Sequence, residues 1–176
     1  MADPLAAFCS SCRAALIGDD GRPGREAVRR NLERLLADGE FVAGRVLPLP
    51  PGRHTLYQDS DLGFVVLAHV LDEAMESPPH DHGDSWAVYG QVTRYTDVSE
   101  WSRVDGGRGV GSAELVPTRR YRLEPGQAGL FEPGAIHAIA LPADTRYMRV
   151  TGTDLDRIPR LMFDTVRHLA MPIHDD

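Results

Sequence analysis

Between Phe64 and Thr151 the chain breaks into short β-favouring runs separated by turn residues, and this punctuation constrains its fold more than any other feature. The runs are Phe64 to Leu71, Ser85 to Tyr95, Ala113 to Leu123, Gly129 to Phe131, Ala135 to Ala140 and Arg146 to Thr151. Each is rich in the branched and aromatic residues that suit a pleated surface. Their spacing fits an antiparallel sandwich or barrel, not a parallel sheet with crossover helices.

Helical signals flank this region. From Arg25 to Phe41, the residues Val28, Leu32, Leu35 and Leu36 recur at helical spacing among Arg and Glu, which predicts an amphipathic helix ended by Gly39. The run Leu47-Pro-Leu-Pro-Pro-Gly52 suits neither helix nor central strand and marks a boundary near residue 45. Residues 1–44 are therefore expected to form a helical segment packing on a barrel built by residues 45–176. From Asp154 to Ala170, the residues Ile158, Leu161, Met162, Val166 and Leu169 make a second helix-like stripe, interrupted by Pro159. It predicts a C-terminal helix on the barrel exterior.

The 176 residues fit one compact domain, and the net charge of −7 disfavours nucleic-acid phosphates and anionic membranes as partners. A small-molecule substrate is the expected partner. Every basic side chain other than histidine is arginine, so the absence of lysine excludes Schiff-base chemistry. No apolar run approaches the roughly 20 residues that span a bilayer, and Met1 to Ala7 lacks the basic start and apolar stretch of a signal peptide. A cytoplasmic protein is expected. Cys9 and Cys12 form a lone CxxC near a terminus read as mobile, and are taken as reduced, incidental thiols.

The chemistry concentrates on three histidines. His80-Asp81-His82 follows Pro78-Pro79 and precedes a strand run. On extended backbone, side chains two residues apart leave on one face, so both imidazoles can meet one ion while Asp81 points away. The segment Glu132-Pro-Gly-Ala-Ile-His137 sets another histidine after a tight turn, at the start of a strand run. Taken singly, each histidine reads as an ordinary core or surface residue, as His69, His168 and His174 do; the combination on an all-β chain points to a shared metal site. Asp84 shares the parity of the pair and would be a fourth ligand only if the strand ran unbroken through Gly83.

These two elements resemble the two motifs of the cupin superfamily. The run Pro78-Pro-His-Asp-His-Gly-Asp-Ser-Trp-Ala-Val-Tyr-Gly90 resembles its cysteine dioxygenase-like branch, over about residues 25 to 165. The resemblance implies a mainly β fold, the double-stranded β-helix or jelly-roll barrel. It also implies a mononuclear non-haem site with His80, His82 and His137 as ligands, Fe(II) favoured over zinc or nickel, O2 as co-substrate, and a barrel-edge homodimer. Many cupins add a glutamate four or five residues after the second histidine, where Trp86 and Ala87 stand here. A neutral three-histidine triad is what remains, open on one face to O2 and a chelating substrate. Zinc on the same ligands would make a hydrolytic site instead.

The substrate shell departs from that branch. Animal-type cysteine dioxygenases place a carboxylate-binding arginine where this chain has His54, beside Arg53, and a crosslinked cysteine where it has Ala87. Their Ser-x-His-x-Tyr pattern falls on Tyr147-Met-Arg-Val-Thr151. Cysteine is therefore not the expected substrate. The residues expected to line the pocket are His54, Tyr57, Trp86, Tyr89, Arg149 and Thr151, with His54 as acid or base, Arg149 holding an anionic or enolate oxygen and Tyr89 beside the reacting atoms. The expected function is an O2-dependent iron dioxygenase for a small chelating substrate. Its rivals are a thiol dioxygenase forming a sulfinate, for instance from 3-mercaptopropionate, and a non-catalytic ligand-binding cupin.

Overall fold

The computed structural model describes residues 3–173; His174 lies outside them. Two helices come first, α1 (Pro4–Gly18) and α2 (Arg22–Leu36), followed by short turns at Gly39–Phe41 and Val42–Val46. Twelve strands follow: β1 (Gly52–Gln58), β2 (Val65–Val70), β3 (Met75–Glu76), β4 (Ala87–Thr93), β5 (Thr96–Arg103), β6 (Gly111–Ser112), β7 (Leu115–Leu123), β8 (Ala128–Phe131), β9 (Ile136–Leu141), β10 (Arg146–Thr151), β11 (Leu161–Asp164) and β12 (Leu169–Pro172).

All pairings are antiparallel. One sheet runs β1-β2-β10-β4-β8, and β3-β9-β5-β7 faces it, so the chain folds as a mainly β, cupin-type barrel. Period-two alternation along the five-stranded sheet separates two cores. Val66, Ala68, Val88, Met148 and Val150 face the helices and join Val28, Leu32 and Cys12. Ala87, Tyr89 and Tyr147 face the barrel interior and meet Val98, Leu123, Ile139 and Leu141 from the second sheet.

The helices close what the sheet leaves open. At Gly90 any Cβ would lie 2.7 Å from Leu32 Cδ2 and Leu36 Cδ1, so the bare backbone there lets α2 settle directly on β4. The exposed edge at β8 is satisfied by α2: Arg29 donates to the Ala128 carbonyl at 3.2 Å, and Glu33 accepts from the Ala128 amide at 3.1 Å. The expected helix across Arg25 to Phe41 stops short at Leu36, because Asp38 accepts from the amides of Glu40 and Phe41 and caps a new turn.

Two expectations for the termini are corrected. The segment carrying Cys9 and Cys12 is the fifteen-residue helix α1, capped by Asp3. Both cysteines are free and buried, and burial pushes their thiols up to about 11 and about 12, well away from thiolate reactivity. The C-terminal stripe is not a helix but the hairpin β11–β12. Asp164 accepts from the Val166 and Arg167 amides, and His168 takes a left-handed conformation at φ 54°, which together reverse the chain. Val166, counted as part of the apolar stripe, is 87% exposed at that turn.

Candidate metal centre

Two turns bring the histidines together. Gly83 adopts φ 57° and the Ser85 amide donates to the His82 carbonyl at 3.0 Å, closing a turn directly after the His80–His82 pair. Gly134, at φ 71°, closes the matching turn before His137, and its amide donates to the Gly83 carbonyl at 2.9 Å. His80 and His137 then exchange both main-chain bonds of an antiparallel pair, 2.9 and 3.0 Å. Neighbouring side chains of such a pair stand side by side.

One ring nitrogen from each of His80, His82 and His137 lies within 4.8 Å of the others. The unpartnered nitrogens test whether this cluster suits a metal. His80 Nδ1 meets the Pro78 carbonyl at 3.0 Å, which leaves its Nε2 for a ligand. His82 Nδ1 and both nitrogens of His137 are buried without a hydrogen-bond partner. Orphaned polar atoms of this kind are costly unless something occupies the space between them. Desolvation, reinforced by the other imidazoles and Arg149, pushes the proton affinity of His82 down to about 2 and that of His137 well below its ordinary range; burial also lowers His80. All three are neutral imidazoles, the form that binds metal. The donor set fits a first-row divalent ion.

The walls are aromatic and cationic. Phe131 stacks on His137 with centroids 3.9 Å apart, and the Tyr89 hydroxyl lies 3.1 Å from His82 Nε2. Arg149 is in register with Tyr89 on one side and Leu67 on the other, on the interior face of β10. Its Nε is buried without a partner, and it makes no hydrogen bond or ion pair among the described residues. A small cavity of about 90 Å³ adjoins it, lined by Arg53, Thr55, Leu67, Thr151 and Asp156 among others. Two larger hollows, of about 750 and 710 Å³, are also present, and none of the three histidines lines any of these three cavities.

The expected pocket residues divide by face. Tyr89, Arg149 and Thr151 point into the barrel, although the Thr151 hydroxyl is committed to the Thr153 carbonyl at 2.7 Å. Trp86 does not join them. The turn at Gly83 shifts the parity, so Ala87 and Tyr89 share the interior while Trp86 packs in the helix-facing core. His54 is also misplaced: it pairs with Ala68 on the outer face and bonds the Pro50 carbonyl at 2.8 Å, leaving Arg53 and Thr55 on the inner one. A bulge between Thr55 and Tyr57 turns Tyr57 outward. Its hydroxyl donates to Asp59, whose buried carboxylate also takes Arg13 of α1 at 2.7 Å; burial would raise Asp59, but hydrogen bonds from Leu62, Arg13, Asp61 and Tyr57 hold it down to about 2. Asp84 is exposed in the turn and stands outside the histidine cluster.

Sequence reasoning passed over His69 as an ordinary histidine. It lies opposite Tyr147 on the interior face, stacked at 4.5 Å with a 2° interplanar angle, and its Nε2 is buried without a partner. Its apolar setting in Val65–Val70 was the available signal, since an imidazole there shares the parity of Leu67. Burial first, then the charges of Arg149 and Arg53, push His69 down to about 2 from an ordinary value near 6.5. The folded protein therefore binds fewer protons than the unfolded chain below pH ~6.5, and stability drains away as pH falls through that range. For the metal-free protein, thermal unfolding followed from pH 7 to 5 is expected to show a steadily falling midpoint. His69→Phe should flatten the slope by up to about 1.4 kcal/mol per pH unit; an unchanged slope rejects this assignment.

A mainly β barrel of cupin type, with three inward histidines at two linked turns, is the class these features define. The sequence matches no protein-family model and no curated protein. Its neighbours among solved structures include proteins described as cupins. KdgF from a Halomonas species aligns with a TM-score of 0.42 at 16% identity, over 56% of this chain and 74% of that one. The cupin domain of Cnp3 from Schizosaccharomyces pombe gives 0.44 at 11% identity, over 61% and 66%. A cupin superfamily protein from Desulfitobacterium hafniense gives 0.42 at 13% identity, over 58% and 77%. Among the described residues no helix is long and apolar enough to cross a membrane.

Proposed function

We propose that the protein is a mononuclear non-haem Fe(II), O2-dependent oxygenase acting on a small, anionic, metal-chelating substrate other than cysteine. The observation that carries this reading is the Arg149 guanidinium, which makes no hydrogen bond or ion pair among the described residues, on the same barrel interior as three neutral imidazoles, two of them with unpartnered buried nitrogens. When bound to His80, His82 and His137, Fe(II) supplies open positions for O2 and for a chelating substrate without any protein carboxylate.

The chain's own residues do the rest. Arg149 holds the substrate's anionic oxygen through its planar fork, which a desolvated setting makes strong and directional. The Tyr89 hydroxyl, already within hydrogen-bond reach of His82, can hold or give a proton on the same side. Phe131, Tyr147 and Leu67 exclude water. Against cysteine stand Ala87, which permits no crosslink, and the outward His54.

The test is metal analysis of freshly purified protein, followed by O2-electrode assays of Fe(II)-loaded protein with small acids bearing a second donor atom. Iron-dependent O2 uptake that needs the acid is the expected result. Sulfinate formed from 3-mercaptopropionate would instead establish the thiol dioxygenase reading. O2 uptake with no acid of the panel would remove the oxygenase reading.

A further inference from the structure

Asp81 stands between two of the candidate ligands yet faces away from the third, and it is 9% exposed. Its Oδ1 accepts from the Gly83 amide at 3.0 Å, within the turn after His82, and from the Leu161 amide of β11 at 2.9 Å. The Asp81 amide in turn donates to the Leu161 carbonyl at 2.9 Å, the Phe163 amide donates to the Pro79 carbonyl at 2.8 Å, and Met162 sits in register with His80. The C-terminal hairpin is thus stitched to the segment that carries His80 and His82. It also touches the other side of the site, because Phe163 and Ala170 pack with Ile136, the neighbour of His137.

The hairpin is also held by the small core that Phe163 and Ala170 share with Ala113, Trp101 and Leu115, and by main-chain bonds to β6 and Ala113. β12 pairs with β6 over two residue pairs, and the Ala113 amide reaches the His168 carbonyl at 2.8 Å. Docking of the hairpin and the placement of the two imidazoles therefore share the same bonds. We propose that Asp81 is a positioning residue that couples C-terminal hairpin docking to metal affinity, so that metal loading and docking strengthen each other. The inference rests on the three histidines being the metal site. Linkage makes the effect reciprocal: the factor by which docking raises affinity is the factor by which metal favours docking.

Zn(II), which is redox-inert, is the probe, titrated into the full chain against a chromogenic chelator. Hydrogen exchange at Leu161 and Phe163 is followed alongside. Wild type is expected to bind one zinc and to slow exchange at both amides. Asp81→Ala should weaken zinc binding about 10–100-fold, the range usual for losing a partner that orients ligands. Asp81→Asn keeps an Oδ1 acceptor and should stay within about threefold of wild type. Phe163→Ala loosens the hairpin by emptying its side-chain core while leaving the main-chain bond to Pro79 and the Asp81 bonds in place, so it should lower affinity in step, and it decides the matter if Asp81→Ala does not fold. Wild-type affinity in Phe163→Ala, exchange at Leu161 and Phe163 that ignores zinc, or an Asp81→Asn variant as weak as alanine would each overturn the coupling. A wild type that binds no zinc fails earlier and differently, since it removes the metal site itself.

Discussion

Replacing His137 by alanine removes stoichiometric metal binding, and with it the stabilisation that metal gives the wild type. His137 is wholly buried, and neither of its nitrogens has a hydrogen-bond partner, the Ala135 carbonyl serving only to offset part of its lowered proton affinity. A bound ion would supply the partner its surroundings lack. Losing a direct ligand should cost more than the 10–100-fold typical of an orienting partner, so a fall in affinity of at least ~100-fold is expected. In wild type, metal at about 100 times its Kd adds ~2.7 kcal/mol of stability. For a domain of this length that corresponds to roughly 5–10 °C in Tm. Chelator should therefore lower the wild-type midpoint by that amount and leave His137→Ala unmoved, as read by metal content and thermal melts with and without added metal. A variant that still holds one equivalent of metal and still melts lower with chelator would refute the assignment.

The triad was legible because it depends on local rules that hold: two histidines at period two, and a Pro-Gly turn that delivers the next one. What sits around it was not, because strand parity is reset wherever the backbone breaks. The Gly83 turn moves Trp86 to the helix side, and the bulge after Thr55 does the same to Tyr57. Counting from the histidines across Gly83 therefore gave Trp86 the wrong face, whereas Tyr89 and Arg149, fixed by pairing between β4 and β10, face inward. β5 escaped notice for a related reason. It is a central strand that carries Asp97, Ser99 and Glu100, and Glu100, in register with His137, is kept inside by contact with the Tyr121 hydroxyl. The C-terminal stripe matched a helical period, yet Asp164, the left-handed His168 and two bracketing prolines, Pro159 and Pro172, outweighed that period.

Arg149→Met is expected to move activity and stability in opposite directions. With whichever small acid supports O2 uptake, kcat/KM should fall about 10²–10³-fold, the ~3–4 kcal/mol lost when a buried charged hydrogen bond to the ligand is removed. Metal content should not change, because Arg149 is in register with Tyr89 and Leu67 rather than with any of the three histidines. Stability of the metal-free protein should stay level or rise by about 1 kcal/mol, since methionine keeps the packing volume and removes a guanidinium that makes no hydrogen bond or ion pair, Asp156 acting on it only from beyond ion-pair distance. Arg149→Lys separates charge from shape. It keeps the cation but loses the planar fork, and should recover only part of the lost activity. If the guanidinium merely fills space, Arg149→Met would leave kcat/KM unchanged, and that result would refute its substrate role. Retaining a guanidinium that makes no hydrogen bond or ion pair, although Asp154 and Asp156 line the same cavity, costs the folded chain stability, and an anionic substrate would offset that cost.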